Sequence, residues 1–480
     1  MSLIDIFITL FYLSFVIWLG FFSKRHIHSV VDYLVAGRRV SPFLGVASLG
    51  GTELGLITLM YNAQKGYTSG LSALHMPFIA GLVTLFVGLT GFIIVPLRRL
   101  KVLTIPEFYE LKFDKTTRVF GAIMLVVAGI LNMGLFLKVA AIFVSIVLGV
   151  PSSGFTLVLI MGVLLSIVLL YTLLGGMVSV IASDFIQFLL LSVGLSFFTW
   201  LLFVNVGWNE LVLGWERVHG LSGFNPFNET SGFGLDYVIW MLITAGLVSI
   251  AIWPTALSRS LVMPTDYAVK KQFILATIPM MARFIFPIFI GAMAFIYLGD
   301  VDSLSALPMA ALEVLPAGLL GILVAGLLAA MMSTFDGYLL CWSSVIVRDI
   351  LMPISKSEWT DNQQIRWIRY VIVLCGLFMF YWGIFYQGTE DVWDYLAITG
   401  AIYFTSAIPI MVGGLYWKKA SSTGAKISLM TGFFAILGLS PVKIFLNVPF
   451  SSELIGILTV IFASLSFILG SLFFPNKVFK

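Results

Sequence analysis

Charge is what this chain has least of. Only 10% of its 480 residues are Asp, Glu, Lys or Arg, while 60% are hydrophobic, 42 are Phe and the mean hydropathy is +1.06. No water-soluble domain of this length keeps such a balance. The net charge of +4 belongs to connections between apolar runs, and no basic, aromatic-rich soluble module exists to bind nucleic acid. Cysteine is nearly absent too. Cys341 and Cys375 both fall inside predicted helices, where a free thiol behaves as a small hydrophobe, so neither a disulfide nor a metal site is read from them. The four histidines have no ligand-like spacing, and with no nucleophile–base motif an intramembrane enzyme is disfavoured. The first apolar run lacks a basic leader, carries Asp5 early and is followed by Lys24 and Arg25, which marks a retained anchor.

What the chain has in abundance is apolar sequence. Runs long enough to span a bilayer lie near residues 3–23, 41–61, 70–97, 119–148, 154–174, 180–206, 235–257, 272–298, 315–347, 367–387, 391–416, 427–446 and 452–474. The fold class is therefore an all-α membrane protein of about 13 transmembrane helices, in one domain covering 1–480. Alternating these spans gathers Lys24, Arg25, Arg38, Arg39, Arg98, Arg99, Arg118, Arg259, Arg348, Lys356, Lys418, Lys477 and Lys480 on one side. The other side receives only Lys65, Arg217 and Lys443. Positively charged loops stay cytoplasmic, so the expected orientation in the cell membrane is N-terminus outside and C-terminus inside.

Spans two to six (41–206) and seven to eleven (235–416) form two groups of five, flanked by the run 3–23 before and the two runs of 427–474 after. Five is odd, so the second group has the opposite orientation to the first. Two units of opposed topology are the skeleton of inverted-repeat transporters, whose sites lie at the midplane where the first helix of each unit is interrupted. Both first helices read that way. Ser48 to Gly55 (SLGGTELG) is glycine-rich around a carboxylate, and the second unit opens through Thr244-Ala245-Gly246 and Trp253-Pro254.

Polar residues inside the apolar runs are the candidate site. Ala329 to Gly337 reads AAMMSTFDG within the run 315–347. Ala330, Ser333, Thr334 and Gly337 follow i, i+3, i+4, i+7, which puts two hydroxyls and two small residues on one stripe. Small residues admit another backbone and hydroxyl oxygens suit a hard cation. An Asp at a helix centre costs roughly 2.5–3.5 kcal/mol in hydrocarbon, so Asp336 must face protein, water or a cation. At ~1.5 Å per residue Glu53 and Arg283 reach the same depth, and they either pair or line a solute path. Lys138 lies in the outer half of its helix, either snorkelling or reaching a solute.

Together these segments resemble the sodium:solute symporter family, whose members carry sugars, proline, sialic acid, pantothenate and related solutes. The resemblance spans nearly the whole chain. It rests on Asp32 to Arg38 (DYLVAGR), Leu103 to Phe108 (LTIPEF), Tyr171 to Gly176 (YTLLGG) leading into Ser183 to Gln187 (SDFIQ), Leu315 to Gly318 (LPAG), and Ala329 to Thr334. It implies a LeuT-type core of 5+5 inverted repeats with one extra N-terminal and two extra C-terminal helices. It also implies a Na⁺ site built from the backbone carbonyls of Gly51, Leu54 and Ala330 and the hydroxyls of Ser333 and Thr334. Asp184 matches the aspartate of a second ion site that some members have, but Asp336 and Gly337 stand where those members show serines. Asp184 and Asp336 would then hold a second Na⁺ or share a proton. Asn132, Thr58 and Pro77 match solute-contacting positions of some relatives, so the candidate solute residues are Glu53, Thr58, Asn132 and Lys138.

The implied function is Na⁺-coupled symport, bringing a small organic solute into the cell by alternating access, without covalent chemistry and as a monomer in the bilayer. Three membrane carboxylates leave a proton-coupled transporter as one rival. A membrane sensor is another, disfavoured because the chain ends soon after the last span with no room for a signalling domain. The solute itself is not legible.

Overall fold

The computed structural model describes the chain apart from residues 24–33, 35–39, 356–358, 387–389 and 477–480. The Asp32 to Arg38 motif, Leu34 excepted, therefore lies outside the described residues, as do Lys24, Arg25, Arg39, Lys356, Lys477 and Lys480 of the charge count. Helical backbone occupies every apolar run predicted above. Nine helices among the described residues are individually long and apolar enough to cross a bilayer. A further pair, Ser422–Gly438 and Ser440–Leu446, is bent by 85°.

The N-terminal helix α1 (Leu3–Ser23) is anchored by its own first turn. Asp5 is buried and its Oδ1 accepts the backbone N–H groups of Gly318 and Gly321 at 2.7 and 2.8 Å, while Ser2 holds the other oxygen. A carboxylate on the unsatisfied N–H groups of a helix start is favoured by both hydrogen bonding and the helix dipole.

The next span is two helices, α2 (Pro42–Glu53) and α3 (Leu56–Ser69). Leu54 leaves helical geometry at ψ 42° and Gly55 is extended at ψ 158°, so the interruption read from the glycine-rich segment falls at these two residues. α3 is buried almost throughout although it carries Thr58, Asn62, Gln64 and Lys65. It packs, with α4 (His75–Thr90), against a later helix that runs over Asp266–Leu298. The approach is as close as backbones allow. A Cβ on Gly291 would sit 1.9 Å from the Ala63 carbonyl, and one on Gly66 would sit 2.1 Å from that of Ile288.

After α5 (Lys115–Met133) and α6 (Phe136–Leu148), helical backbone runs unbroken through the 53 residues of α7 (Gly154–Val206). The sequence reading separates this stretch into spans 154–174 and 180–206, with Gly175-Gly176 between them. At ~1.5 Å per residue it far exceeds a ~30 Å bilayer core as one straight span. Its two ends serve different neighbours: Leu165 and Leu169 meet Gly376 of the later helix Asp361–Phe385, whereas Leu191 meets Gly326 of the helix Leu319–Val345.

The second interrupted span is α8 (Leu235–Met241), continued as a π-helix over Leu242–Ile252, then α9 (Pro254–Leu261). Pro254 offers no N–H and forces the residue before it out of the helix, and Trp253 is accordingly extended at ψ 129°. There follow α10 (Asp266–Leu298), the buried α11 (Leu319–Val345), α12 (Asp361–Phe385) and α13 (Val392–Tyr416). Then come α14 (Ser422–Gly432) and α15 (Ser452–Phe473), which pack on each other and on α13. α11 is held between α7, α12 and α1.

Candidate functional site

The hydroxyl stripe of α11 meets the break between α2 and α3. A Cβ placed on Gly55 would stand 2.2 Å from the Thr334 Oγ1, so only glycine lets the break come this close. Thr334 donates its hydroxyl hydrogen back to the Ala330 carbonyl at 2.9 Å. Ser333 donates its own to Asp184 Oδ1 on α7, and Ser48 of α2 donates to the other carboxylate oxygen at 2.6 Å. Gly51 lies against the backbone of Asp184, where a Cβ would be 2.9 Å from the carbonyl oxygen. The Gly51–Leu54 turn therefore lies alongside the stripe of Ala330, Ser333 and Thr334. A hydroxyl that donates one hydrogen keeps two lone pairs, so both side chains retain oxygen for a cation. Gln187 Nε2 adds a bond to the Ala329 carbonyl at 2.5 Å, which fastens the SDFIQ segment to the same helix.

Asp336, one turn further along α11, is fully buried and accepts from Thr172 Oγ1. A cation absent from the sequence reading of this region is Arg259 on α9, counted there as a loop charge. It is 1% exposed, and its Nη2 lies 3.6 Å from Asp184 Oδ2. The buried region around Asp184 therefore already contains one positive charge.

Beside the hydroxyl stripe lies a cavity of about 100 Å³, lined among others by Glu53, Thr58, Asn132, Ser249, Arg283 and Thr334. Glu53 and Arg283 form the ion pair that their common depth suggests, and Arg283 Nη2 also donates to Ser249 at 3.0 Å. Asn132 donates to the Leu396 carbonyl at 2.7 Å and to Thr399 at 3.3 Å. Thr334 belongs to both the stripe and the cavity wall. Lys138 is not among the lining residues; its ammonium donates to the Tyr386 carbonyl at 3.2 Å. Six aromatic rings complete the wall: Tyr61, Phe136, Trp253, Tyr338, Trp393 and Phe404. Of these only Trp253 was named from sequence, as part of the Trp253-Pro254 interruption and not as a wall residue.

One turn beyond Tyr61 on α3, Lys65, which the sequence reading assigned to a loop, closes a second cluster. Its ammonium is 2.8 Å from both Asp391 and Asp394 and 5.2 Å above the Tyr237 ring, while the Tyr237 hydroxyl donates to Asp394 at 3.0 Å. Thr58, Tyr61 and Lys65 share one helical stripe, a spacing that could have linked Lys65 to the cavity. Just beyond α11, in the π-helical turn Ile346–Leu351, Asp349 is buried and accepts from Arg118 Nε at 2.7 Å and from Thr104 at 3.0 Å.

Comparison with known proteins gives a consistent picture. The sequence profile of the sodium:solute symporter family matches residues 33–432. The sodium/sialic acid symporter of Proteus mirabilis is 27% identical over 457 residues, covering 89% of this chain and 87% of that protein. A sodium/proline symporter of Staphylococcus aureus is 22% identical over 454 residues, covering 89% and 84%. Among solved structures, the substrate-bound outward-open state of a Na⁺-coupled sialic acid symporter superposes with a TM-score of 0.84 at 20% identity, covering 99% of each chain. At that identity the superposition speaks for the fold.

Proposed function

The chain belongs to the sodium:solute symporter family, and from that premise we propose that Gly51, Leu54, Ala330, Ser333 and Thr334 hold its coupling Na⁺ beside a solute bound in the cavity walled by Glu53, Thr58 and Asn132. Na⁺-coupled solute transport is the activity of this family, and alternating access fits its LeuT-type fold. The observation that carries the site is Thr334, which touches the helix break, shares the stripe with Ser333 and lines the cavity. Three carbonyls and two hydroxyls can replace the hydration shell of a hard cation. The ion then ties α11 to α2 and α3, and it biases the protein toward the state in which those elements are together.

Solute enters the cell in this reading, with the N-terminus outside and each protein working alone. Residues 41–206 and 235–416 act as the two inverted repeats. The Lys65–Asp391–Asp394 cluster then closes the outer mouth, and the Asp349–Arg118–Thr104 cluster lies at the inner end. Asp184 and Asp336 form a second cation position, for which the Arg259 guanidinium competes. Lys138 is left out of the solute set because its ammonium is committed to a backbone carbonyl.

The test is ligand binding by thermal stabilisation in NaCl against KCl, for the parent, Ser333→Ala and Thr334→Ala. Na⁺ should stabilise the parent, and each variant should need about tenfold or more Na⁺, since a charge-assisted contact contributes roughly 1.5–3 kcal/mol. Parental Na⁺ dependence in both variants places the ion elsewhere. Reconstituted uptake that survives replacement of Na⁺ and follows a proton gradient would establish proton coupling instead.

A further inference from the structure

Several polar groups of the cavity wall have their hydrogens already committed within the protein. The hydroxyls of Thr244 and Ser249 donate back to the carbonyls four residues earlier, at 2.8 and 2.7 Å, so they offer a solute lone pairs. Asn132 has both amide hydrogens committed to Leu396 and Thr399, which leaves its carbonyl oxygen. Among the described residues the only charged ones lining the cavity are Glu53 and Arg283, and they are not equally presented. The Glu53 side chain is 15% exposed, whereas that of Arg283 is 2% exposed, packed 4.7 Å from the Phe284 ring and bonded to Glu53 and Ser249. The face that the ion pair turns to the cavity is its carboxylate. Around it stand the six aromatic rings, whose faces attract a cation within about 6 Å.

A solute whose only charge is a carboxylate or phosphate would bring a second anion against Glu53, and Arg283, the one cation among the described lining residues, is already paired with that carboxylate. An ammonium carries up to three donors and no acceptor, which complements the Glu53 carboxylate and these lone pairs. Resting on the solute reading of this cavity above, we infer that the transported solute bears a protonated amine received by Glu53, on a small apolar or aromatic body held by the rings. Zwitterionic amino acids fall within this class, with the unpartnered Trp393 Nε1 as a donor to spare for a carboxylate. Solutes whose only charged group is a carboxylate fall outside it.

A matched series isolates the functional group. Thermal stabilisation of the purified full chain is measured with 2-phenylethylamine, L-phenylalanine, 3-phenylpropanoate and 2-phenylethanol, and with isoamylamine, L-leucine, 4-methylpentanoate and isoamyl alcohol for a smaller body. Each is run in NaCl and in KCl. The expected result is saturable stabilisation by an amine-bearing member of either series and none by the acid or the alcohol. Glu53→Gln should weaken amine binding about ten- to hundredfold while the stabilisation by Na⁺ alone persists, which shows the variant folded. Should Glu53→Gln not fold, Glu53→Asp keeps the charge and should retain the amine preference at reduced affinity. Binding of the acid or alcohol in preference to the amine, an amine affinity unchanged in Glu53→Gln, or no amine binder in either salt overturns the inference. Amine binding indifferent to Na⁺ would uphold it and remove the ion coupling instead, so the two readings fail separately.

Discussion

The contact between Gly55 and Thr334 can be tested without knowing the solute. In Gly55→Ala the new methyl would stand 2.2 Å from Thr334 Oγ1, 3.2 Å from its Cβ and 3.5 Å from its Cγ2. The first distance is impossible and the others are tight to ordinary, so the whole clash resides in one oxygen. Overpacking of this kind costs about 1–3 kcal/mol. Thr334→Ala deletes that oxygen, and in its background the methyl meets a Cβ that needs to give by only a few tenths of an ångström. The two substitutions should therefore be less than additive, by roughly 1–2 kcal/mol, where independent sites add within ~0.3–0.5 kcal/mol. The assay is a double-mutant cycle on unfolding by SDS in mixed micelles, in Na⁺-free buffer so that ion binding does not enter. If Gly55→Ala is equally damaging in the parent and in the Thr334→Ala background, the break does not touch the stripe and the ion site loses its support.

Other expectations follow from individual contacts. Replacing Arg283 by Met leaves Glu53 unpaired and should destabilise by about 3–5 kcal/mol, whereas Glu53→Gln with Arg283→Met should recover part of that, as read by unfolding midpoints. Lys65→Met should slow solute uptake several-fold while leaving Na⁺ stabilisation in detergent intact, and Asp391→Asn should be milder because Asp394 remains at 2.8 Å; equal effects on both readouts would argue against a mouth-closing role. The Na⁺:solute ratio, from reversal potentials in proteoliposomes, should exceed one in the parent and fall in Asp184→Asn and Asp336→Asn; a ratio of one unchanged in both removes the second position. Asp5→Asn weakens the caps on Gly318 and Gly321 and should lower stability by about 1–2 kcal/mol, with Na⁺ affinity unchanged.

The parts of the molecule that were legible in sequence are those decided by local chemistry. Gly55 and Pro254 interrupt helices through their own backbone properties, and both breaks fall where the sequence puts them. The Glu53–Arg283 pair was legible because rise per residue converts sequence position into depth. Depth carries no information about rotation, however, and Lys138 shows the consequence. It lies at a plausible height on α6 but is turned to Tyr386. Lys65 and Arg259 were misread for a different reason. A basic residue at the end of an apolar run is solvated or buried according to partners distant in the chain, here Asp391 and Asp184, which no charge count contains. The aromatic wall draws on α3, α6, α11 and α13 and on the residue before α9, and so has no spacing to detect.

The cap that Asp5 makes on the start of α11 has a use in following the transport cycle. α1 packs along both α7 and α11, and its first turn is fastened to the α11 N-terminus by two charge-assisted bonds. These three helices are built to travel together. A pair of spin labels on α1 and the N-terminal half of α11 should therefore report one narrow distance in every ligand condition. That pair is an internal ruler against which the separations of α3 and α9 from the same frame can be read.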